Sequence, residues 1–330
     1  MWTPMDNSNE FSVDPHLLAA FDKAAEIDRK IGDLGPGIDE IRQKAALARN
    51  YWNEGGPEIF EVSERLIPGP TRDVPVVLYR AYESVEPAPV FVFFHGGGFK
   101  IGNPRANDRQ MREIAAAWGG VVISADYLHT PEHVFPEPVL EASALLQWIH
   151  TFGASWNLDQ ERIALGGVSA GACLSFGTTI HLGPQSWLRA AVGIVGAFSF
   201  DTATASMNTY GGGKLYPPKS AIEPMLAAYV PDLDSRNDPR AIPSLASCDM
   251  FPPTFIAAAE LDVFLDASAL MAARLAHVGN LNFFRIYPGM AHLFFGFSRE
   301  VPCAAMCVSD VAMFLSERLP LRVQAPKVSL

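Results

Sequence analysis

The sequence predicts an α/β architecture, a mostly parallel eight-stranded sheet flanked by helices, on three observations. From Pro57 onward, short β-rich runs alternate with helical patterns. The stretch Gly167-Val168-Ser169-Ala170-Gly171 turns sharply from an apolar run into a helical one. A second glycine-rich turn, His95-Gly96-Gly97-Gly98-Phe99, directly follows the apolar run 90–94. Strands that end in such loops put ligands at the carboxyl edge of a sheet.

The strand-like runs are 59–66, 74–82, 90–94, 121–125, 162–166, 190–195, 253–259 and 282–287. Between and after them lie helical patterns at 107–118, 137–152, 172–176, 267–278 and 303–319, which places helices on both faces. Two segments break the rhythm. Residues 1–50 carry helical patterns over 15–31 and 38–52, separated by the turn Gly32-Asp33-Leu34-Gly35-Pro36-Gly37. Residues 199–245 contain Gly211-Gly212-Gly213, Pro217-Pro218 and a short helical stretch at 221–230. Insertions of this length within a domain are commonly functional, so both are expected to form a helical cap over the strand ends. The expected organisation is a cap segment 1–50, a core segment 51–198, a cap insertion 199–245 and a second core segment 246–330.

A chain of 330 residues, 49% hydrophobic and 18% charged, buries a large core. Its net charge of −11 opposes phosphate neutralisation, so nucleic acid is not an expected partner. No apolar stretch approaches the ~20 residues of a membrane span. The opening residues Met1-Trp2-Thr3-Pro4-Met5-Asp6-Asn7 lack the basic start and apolar run of a signal peptide, so a cytoplasmic protein is expected. Cys173, Cys248, Cys303 and Cys307 show no CxxC pairing and no metal-like spacing to histidine. Cys303 and Cys307, four apart on a helical pattern, read as core.

The turn at Ser169 has the form of a nucleophile elbow, in which a strand–turn–helix bend projects a serine hydroxyl out of the sheet. Such a serine needs a base, an orienting acid and donors for a developing oxyanion. The turn at Gly96-Gly97-Gly98 exposes backbone N–H groups at the same sheet edge, and it lacks the GK[ST] ending of a phosphate loop. Of the eight histidines, His292 alone stands in a loop after a late strand, whereas His150, His181 and His277 fall on helical positions. The acid belongs after a strand and between Ser169 and His292, which selects the segment Glu260-Leu261-Asp262-Val263-Phe264-Leu265-Asp266. Glu260 belongs to the strand end and Asp266 reads as a helix N-cap, so Asp262, first in the loop, is the choice.

These motifs together resemble the hormone-sensitive-lipase-like family of α/β-hydrolases, the bacterial family IV esterases. The resemblance spans about 90–319 and includes Asp126-Tyr127, Pro131-Glu132-His133, Phe135-Pro136, Asp238-Pro239-Arg240 and Gly289-Met290-Ala291-His292. It implies an α/β-hydrolase fold, with Ser169, Asp262 and His292 as catalytic triad. It further implies an oxyanion hole from the backbone N–H groups of Gly97, Gly98 and Ala170, with His95 ordering the glycine turn. The implied substrate is a small-molecule ester or amide, with no cofactor and no metal, and the implied assembly is a homodimer through an edge strand. Where members commonly read Asp-Tyr-Arg-Leu-Ala-Pro-Glu, this chain has Asp126-Tyr127-Leu128-His129-Thr130-Pro131-Glu132, so the usual Arg is missing. Val168 and Ala172 are further departures within the elbow, and Val263-Phe264 stands where Pro-Leu is common.

The expected activity is hydrolysis of short-to-medium acyl or aryl esters. An amidase with the same triad is the alternative, and a ligand receptor on a hydrolase scaffold is a third reading, disfavoured because His292 is present. Tyr51, Trp52, Phe99, Phe294 and Phe295 are candidates for an apolar acyl or aryl pocket, although at helical or strand spacing such residues are more often core.

Overall fold

The computed structural model describes residues 11–322. The opening segment considered above for targeting and residues 323–330 lie outside them. Eight strands follow one another as β1 (Glu61–Pro68), β2 (Asp73–Arg80), β3 (Ala88–Phe94), β4 (Val121–Ala125), β5 (Leu158–Val168), β6 (Leu188–Ile194), β7 (Thr254–Leu261) and β8 (Leu281–Ala291). They form one sheet in that order, except that β4 stands between β2 and β3. From β4 to β8 all neighbours are parallel, whereas β2 is antiparallel to both β1 and β4. Only Gly69-Pro70-Thr71-Arg72 joins β1 to β2, too short a link for the crossover that a parallel pair requires.

The helices are α1 (Pro15–Ile31), α2 (Ile38–Asn53), α3 (Asp108–Trp118), α4 (Glu137–Phe152), α5 (Ala170–Leu182), α6 (Ala205–Tyr210), α7 (Ile222–Tyr229), α8 (Leu265–His277) and α9 (Pro302–Arg318). The two-residue period of β3 sorts its side chains between two cores. Phe91 and Phe93 pack with Met111, Trp118 and Phe314 on the face covered by α1, α3 and α9. Val90, Val92 and Phe94 pack with Val139, Leu146 and Leu174 on the face covered by α4 and α5. Burial on both faces explains why β3 reads as an uninterrupted apolar run. Cys307 lies in the first of these cores with Cys303 packed against it, and all four cysteines are free thiols.

The segments that break the α/β alternation meet the carboxyl edge of the sheet. Asp14 caps α1 through its carboxylate, which accepts from the His16 N–H at 2.8 Å, while its own N–H donates to the Gly289 carbonyl just before His292. Tyr229 of α7 stacks on Phe99 at 3.7 Å, directly after the glycine turn. Helix α6 escapes a reading by periodicity, because six residues give no measurable repeat. Tertiary bonds hold it: the Ser206 hydroxyl donates to the Val263 carbonyl at 2.8 Å, and the Ser206 N–H donates to Asp266. Among the described residues no helix is long and apolar enough to cross a membrane.

Candidate active site

Ser169 sits between β5 and α5 with φ 56° and ψ −119°, a region that a side-chain-bearing residue enters only under constraint. The constraint is visible. The Ser169 N–H donates to the Ile194 carbonyl at 2.9 Å, and its carbonyl accepts from the Ala172 and Cys173 N–H groups, each at 3.1 Å. The elbow glycines answer to crowding: a Cβ on Gly171 would stand 2.1 Å from the Phe94 carbonyl oxygen, and one on Gly167 would stand 2.4 Å from the Gly171 backbone. Helix α5 therefore starts against the end of β3 with no room for a side chain.

β7 and β8 run side by side and deliver Asp262 and His292 to the same edge. His292 Nε2 lies 2.7 Å from Ser169 Oγ, and His292 Nδ1 lies 2.8 Å from Asp262 Oδ2. A carboxylate accepts, so Nδ1 carries the proton and Nε2 presents its lone pair to the serine hydroxyl. Histidine and aspartate are 3% and 1% exposed, which keeps water from competing for the bond between them. The other Asp262 oxygen accepts the Phe264 N–H at 3.0 Å and fixes the loop. Asp266 does not cap the following helix as expected. That helix begins earlier, at Leu265, which makes Asp266 a first-turn residue whose carboxylate instead accepts the Ser206 N–H at the start of α6. Glu260 stays in β7 and accepts the Gly289 N–H at 2.6 Å, which anchors the turn before His292.

The glycine turn faces the elbow, since a Cβ on Gly96 would lie 3.3 Å from Ser169 Cβ. Gly97 and Gly98 have φ of 132° and 61°, open to glycine and costly for other residues. Among the described residues the N–H groups of Gly97, Gly98 and Ala170 have no protein acceptor. His95 is fully buried under the turn, with Nδ1 2.8 Å from the Gly96 carbonyl and its ring stacked on Tyr127 at 4.7 Å.

The profile of a family described by its alpha/beta hydrolase fold matches residues 91–296, which contain every one of these groups. The chain belongs to that family. Within it, the ordered motifs place this hydrolase among the hormone-sensitive-lipase-like esterases. It is 28% identical over 295 residues to the acetyl esterase of Salmonella schwarzengrund (strain CVM19633), covering 86% of this chain and 88% of that one. Its fold is similar to a hyperthermophilic esterase from the archaeon Pyrobaculum calidifontis, at TM-score 0.82 and 25% identity over 92% of this chain and 98% of the other. An ester hydrolase from the metagenome of Lake Arreo, complexed with a derivative of bipyridine phosphonate, is similar at TM-score 0.78 and 26% identity, with 92% and 98% covered.

Around the hydrolase site, several side chains that no motif announces brace the two loops. Arg72 bridges Asp126 at 3.0 Å and the buried Glu141 at 2.7 Å, and Glu141 in turn accepts the Leu128 N–H. A guanidinium from the β1–β2 link thus stands beside Asp126 in a chain that carries Leu128 where Arg is usual. Arg42 of α2 grips Glu132 with two nitrogens, at 2.8 and 2.7 Å, and also donates to the Lys100 and Thr130 carbonyls at 3.0 Å each. That grip drops the Glu132 carboxyl to about 2. Met225 of α7 overhangs the turn, its sulfur 3.2 Å from where a Gly98 Cβ would be.

The aromatic candidates fare differently. Trp52, Phe99, Phe294 and Phe295 are buried core residues, and the Tyr51 hydroxyl bonds Glu300 beneath the Arg299 guanidinium. Phe264 lies 5.4 Å from the His292 ring, and Phe11 and Tyr210 meet edge-on with their ring centres 5.4 Å apart. Tyr210 ends the α6 helix that Ser206 ties to the acid loop. Phe11 lies three residues before Asp14, which is bonded to Gly289. Their signal in the sequence is weak because each comes from a segment outside the sheet.

Proposed function

We propose that the chain is a serine carboxylic-ester hydrolase acting on short-to-medium acyl or aryl esters through an acyl-enzyme. The observation that carries this reading is the unbroken chain Asp262–His292–Ser169, with bonds of 2.8 and 2.7 Å. Ser169 Oγ passes its proton to His292 Nε2 as it attacks the ester carbonyl. Asp262 stabilises the imidazolium and holds its orientation. The oxyanion collects the N–H groups of Gly97, Gly98 and Ala170, each such donor contributing ~3 kcal/mol to the transition state. His292 returns the proton to the departing alkoxide. Water, deprotonated by His292, then attacks the acyl-serine, and collapse of the second oxyanion releases the acid and restores the hydroxyl.

In this reading residues 1–50, with α1 and all but the last three residues of α2, and residues 199–245, with α6 and α7, form the cap over a core of 51–198 and 246–330. Met225 and Tyr210 from the insertion and Phe11 from the N-terminal segment would shape the acyl side. β8 is an edge strand whose exposed Phe284 and Ile286 fit pairing with a second copy. Light scattering on an Ile286→Lys variant tests that dimer: a monomer where the parent chain is dimeric supports it, and an unchanged mass refutes it.

An acyl-length series of p-nitrophenyl esters run beside matched anilides tests the activity. The expected profile is turnover that peaks at short chains and far exceeds anilide cleavage. An anilide rate equal to the ester rate would assign the same triad to amide hydrolysis.

A further inference from the structure

Beneath the oxyanion turn, His95, Asp126 and His129 bring three possible ligand atoms together. These atoms all lie within 4.8 Å of one another. His95 Nε2 is 3.7 Å and His129 Nε2 4.0 Å from Asp126 Oδ1, both beyond hydrogen-bond range. Among the described residues neither Nε2 has any hydrogen-bond partner, although both atoms are buried and the His95 side chain is fully enclosed. The Gly96 carbonyl can only accept, so His95 Nδ1 holds the proton and Nε2 presents a lone pair. A lone pair thus faces a carboxylate oxygen with no donor between them, an arrangement that a cation completes.

We propose that His95 Nε2, His129 Nε2 and Asp126 Oδ1 form a binding site for a borderline divalent transition metal, with Zn2+ the best match. Two imidazoles and one carboxylate are a typical three-residue zinc set, leaving a fourth position for water. Asp126 and His129 are 17% and 11% exposed, which gives the ion a way in and the water a place. The neighbouring charges permit it: Glu132, Glu141 and Asp126 outnumber Arg42 and Arg72. Arg72 holds the other Asp126 oxygen at 3.0 Å, so Oδ1 is left for the metal and its direction is fixed. The rings are set as well, since Tyr127 stacks on His95 and meets His129 edge-on at 4.6 Å. His129 supplies the third ligand atom of the set. The ion would tie the loop 126–132 to the turn that carries Gly97 and Gly98, a structural rather than a reacting role, since Ser169 and His292 are not ligands.

The test uses the full chain carrying Ser169→Ala, freed of metal by chelation, so that its outcome does not depend on the ester-hydrolase reading. Titration with Zn2+ is followed by calorimetry, with Mg2+ as the mismatched control. The expected result is one tight Zn2+ equivalent, weakened at least ~100-fold in both His129→Leu and His129→Gln, and no Mg2+ binding. Bound Co2+ should give the visible d–d absorption of a four-coordinate site, absent from both variants. Zinc at a hundredfold excess over Kd should raise Tm by on the order of 5 °C in the parent and not in the variants. Leucine removes the ring nitrogens and glutamine keeps polarity, so the loss of fold in one variant leaves the other as the test. Equal Zn2+ binding in the parent and a folded variant, or no stoichiometric binding in the parent, overturns the proposal.

Discussion

Two histidine–aspartate pairs flank Ser169, and they are built in opposite ways. His292 spends Nδ1 on Asp262 at 2.8 Å and offers Nε2 to the serine. His95 spends Nδ1 on the backbone of its own turn, and its Nε2 stops 3.7 Å short of Asp126. Both imidazoles are buried, and both carboxylates follow a parallel strand. The two pairs therefore differ in what holds Nδ1, a carboxylate in the first and a backbone carbonyl in the second, and so in what Nε2 is left to face. In the first pair the acid sits in the turn after β7, where β8 returns the histidine beside it. In the second, β3 and β4 end side by side, His95 stacks on Tyr127, and the carboxylate is held by Arg72.

The largest expected effect falls on the first pair and its serine. Ser169→Ala should lower kcat toward p-nitrophenyl acetate by about 10^6-fold with unchanged circular dichroism. Retention of parent turnover would remove the nucleophile assignment. Asp262→Asn should cost about 10^4-fold in kcat at near-neutral pH, because an amide can donate to Nδ1 and turn the imidazole to the wrong tautomer. A loss of tenfold or less would show that the buried bond at 2.8 Å does not set the tautomer.

The two pairs differ in how much of them the sequence discloses. Ser169, Asp262 and His292 each follow a strand immediately, so strand periodicity plus a turn is enough to place them at one edge. Glycines 96–98 are legible for the same reason, since a glycine run directly after a strand buried on both faces marks a tight turn at the sheet edge with its backbone laid open. The bracing partners are not local. Arg72 lies 54 residues from Asp126 and 69 from Glu141, and Arg42 lies 90 from Glu132, so only the packing of α2 and the β1–β2 link onto the sheet edge brings them in. Asp266 misleads for a related reason. An acid before a helical pattern looks like a cap, but Asp262 bonding to Phe264 starts the helix earlier and frees Asp266 for α6. Phe99 closes the glycine turn in sequence yet lies in the core, because residue order does not state on which side of the edge a ring falls.

The second pair is broken through its charges. Removal of the Arg72 guanidinium leaves Glu141, 1% exposed, and Asp126 without their cation. A third of the Arg72 side chain still meets water, so Arg72→Ala should cost about 2 to 3 kcal/mol rather than the full penalty of a buried pair. Thermal unfolding should show a Tm lower by on the order of 5 °C, with kcat reduced far less than in Asp262→Asn. A Tm within a degree of the parent would mean that the Leu128 backbone and solvent satisfy these carboxylates unaided.

The smallest effect sharpens the comparison most, because it asks whether the turn must be held from the cap. Arg42 touches no substrate position in this reading. It acts through the Lys100 and Thr130 carbonyls, which lie just beyond the oxyanion glycines and the His129 loop. Arg42→Ala should therefore lower kcat ~10-fold by letting Gly97 and Gly98 drift from the oxyanion, with KM changed by less than about twofold. Arg42→Lys keeps the charge beside Glu132 but cannot reproduce the forked grip, so it should recover only part of the loss. A fall in Tm with kcat intact at a temperature where both proteins are folded would assign Arg42 to cap stability alone. A rise in KM with kcat intact would place it at the substrate entrance instead.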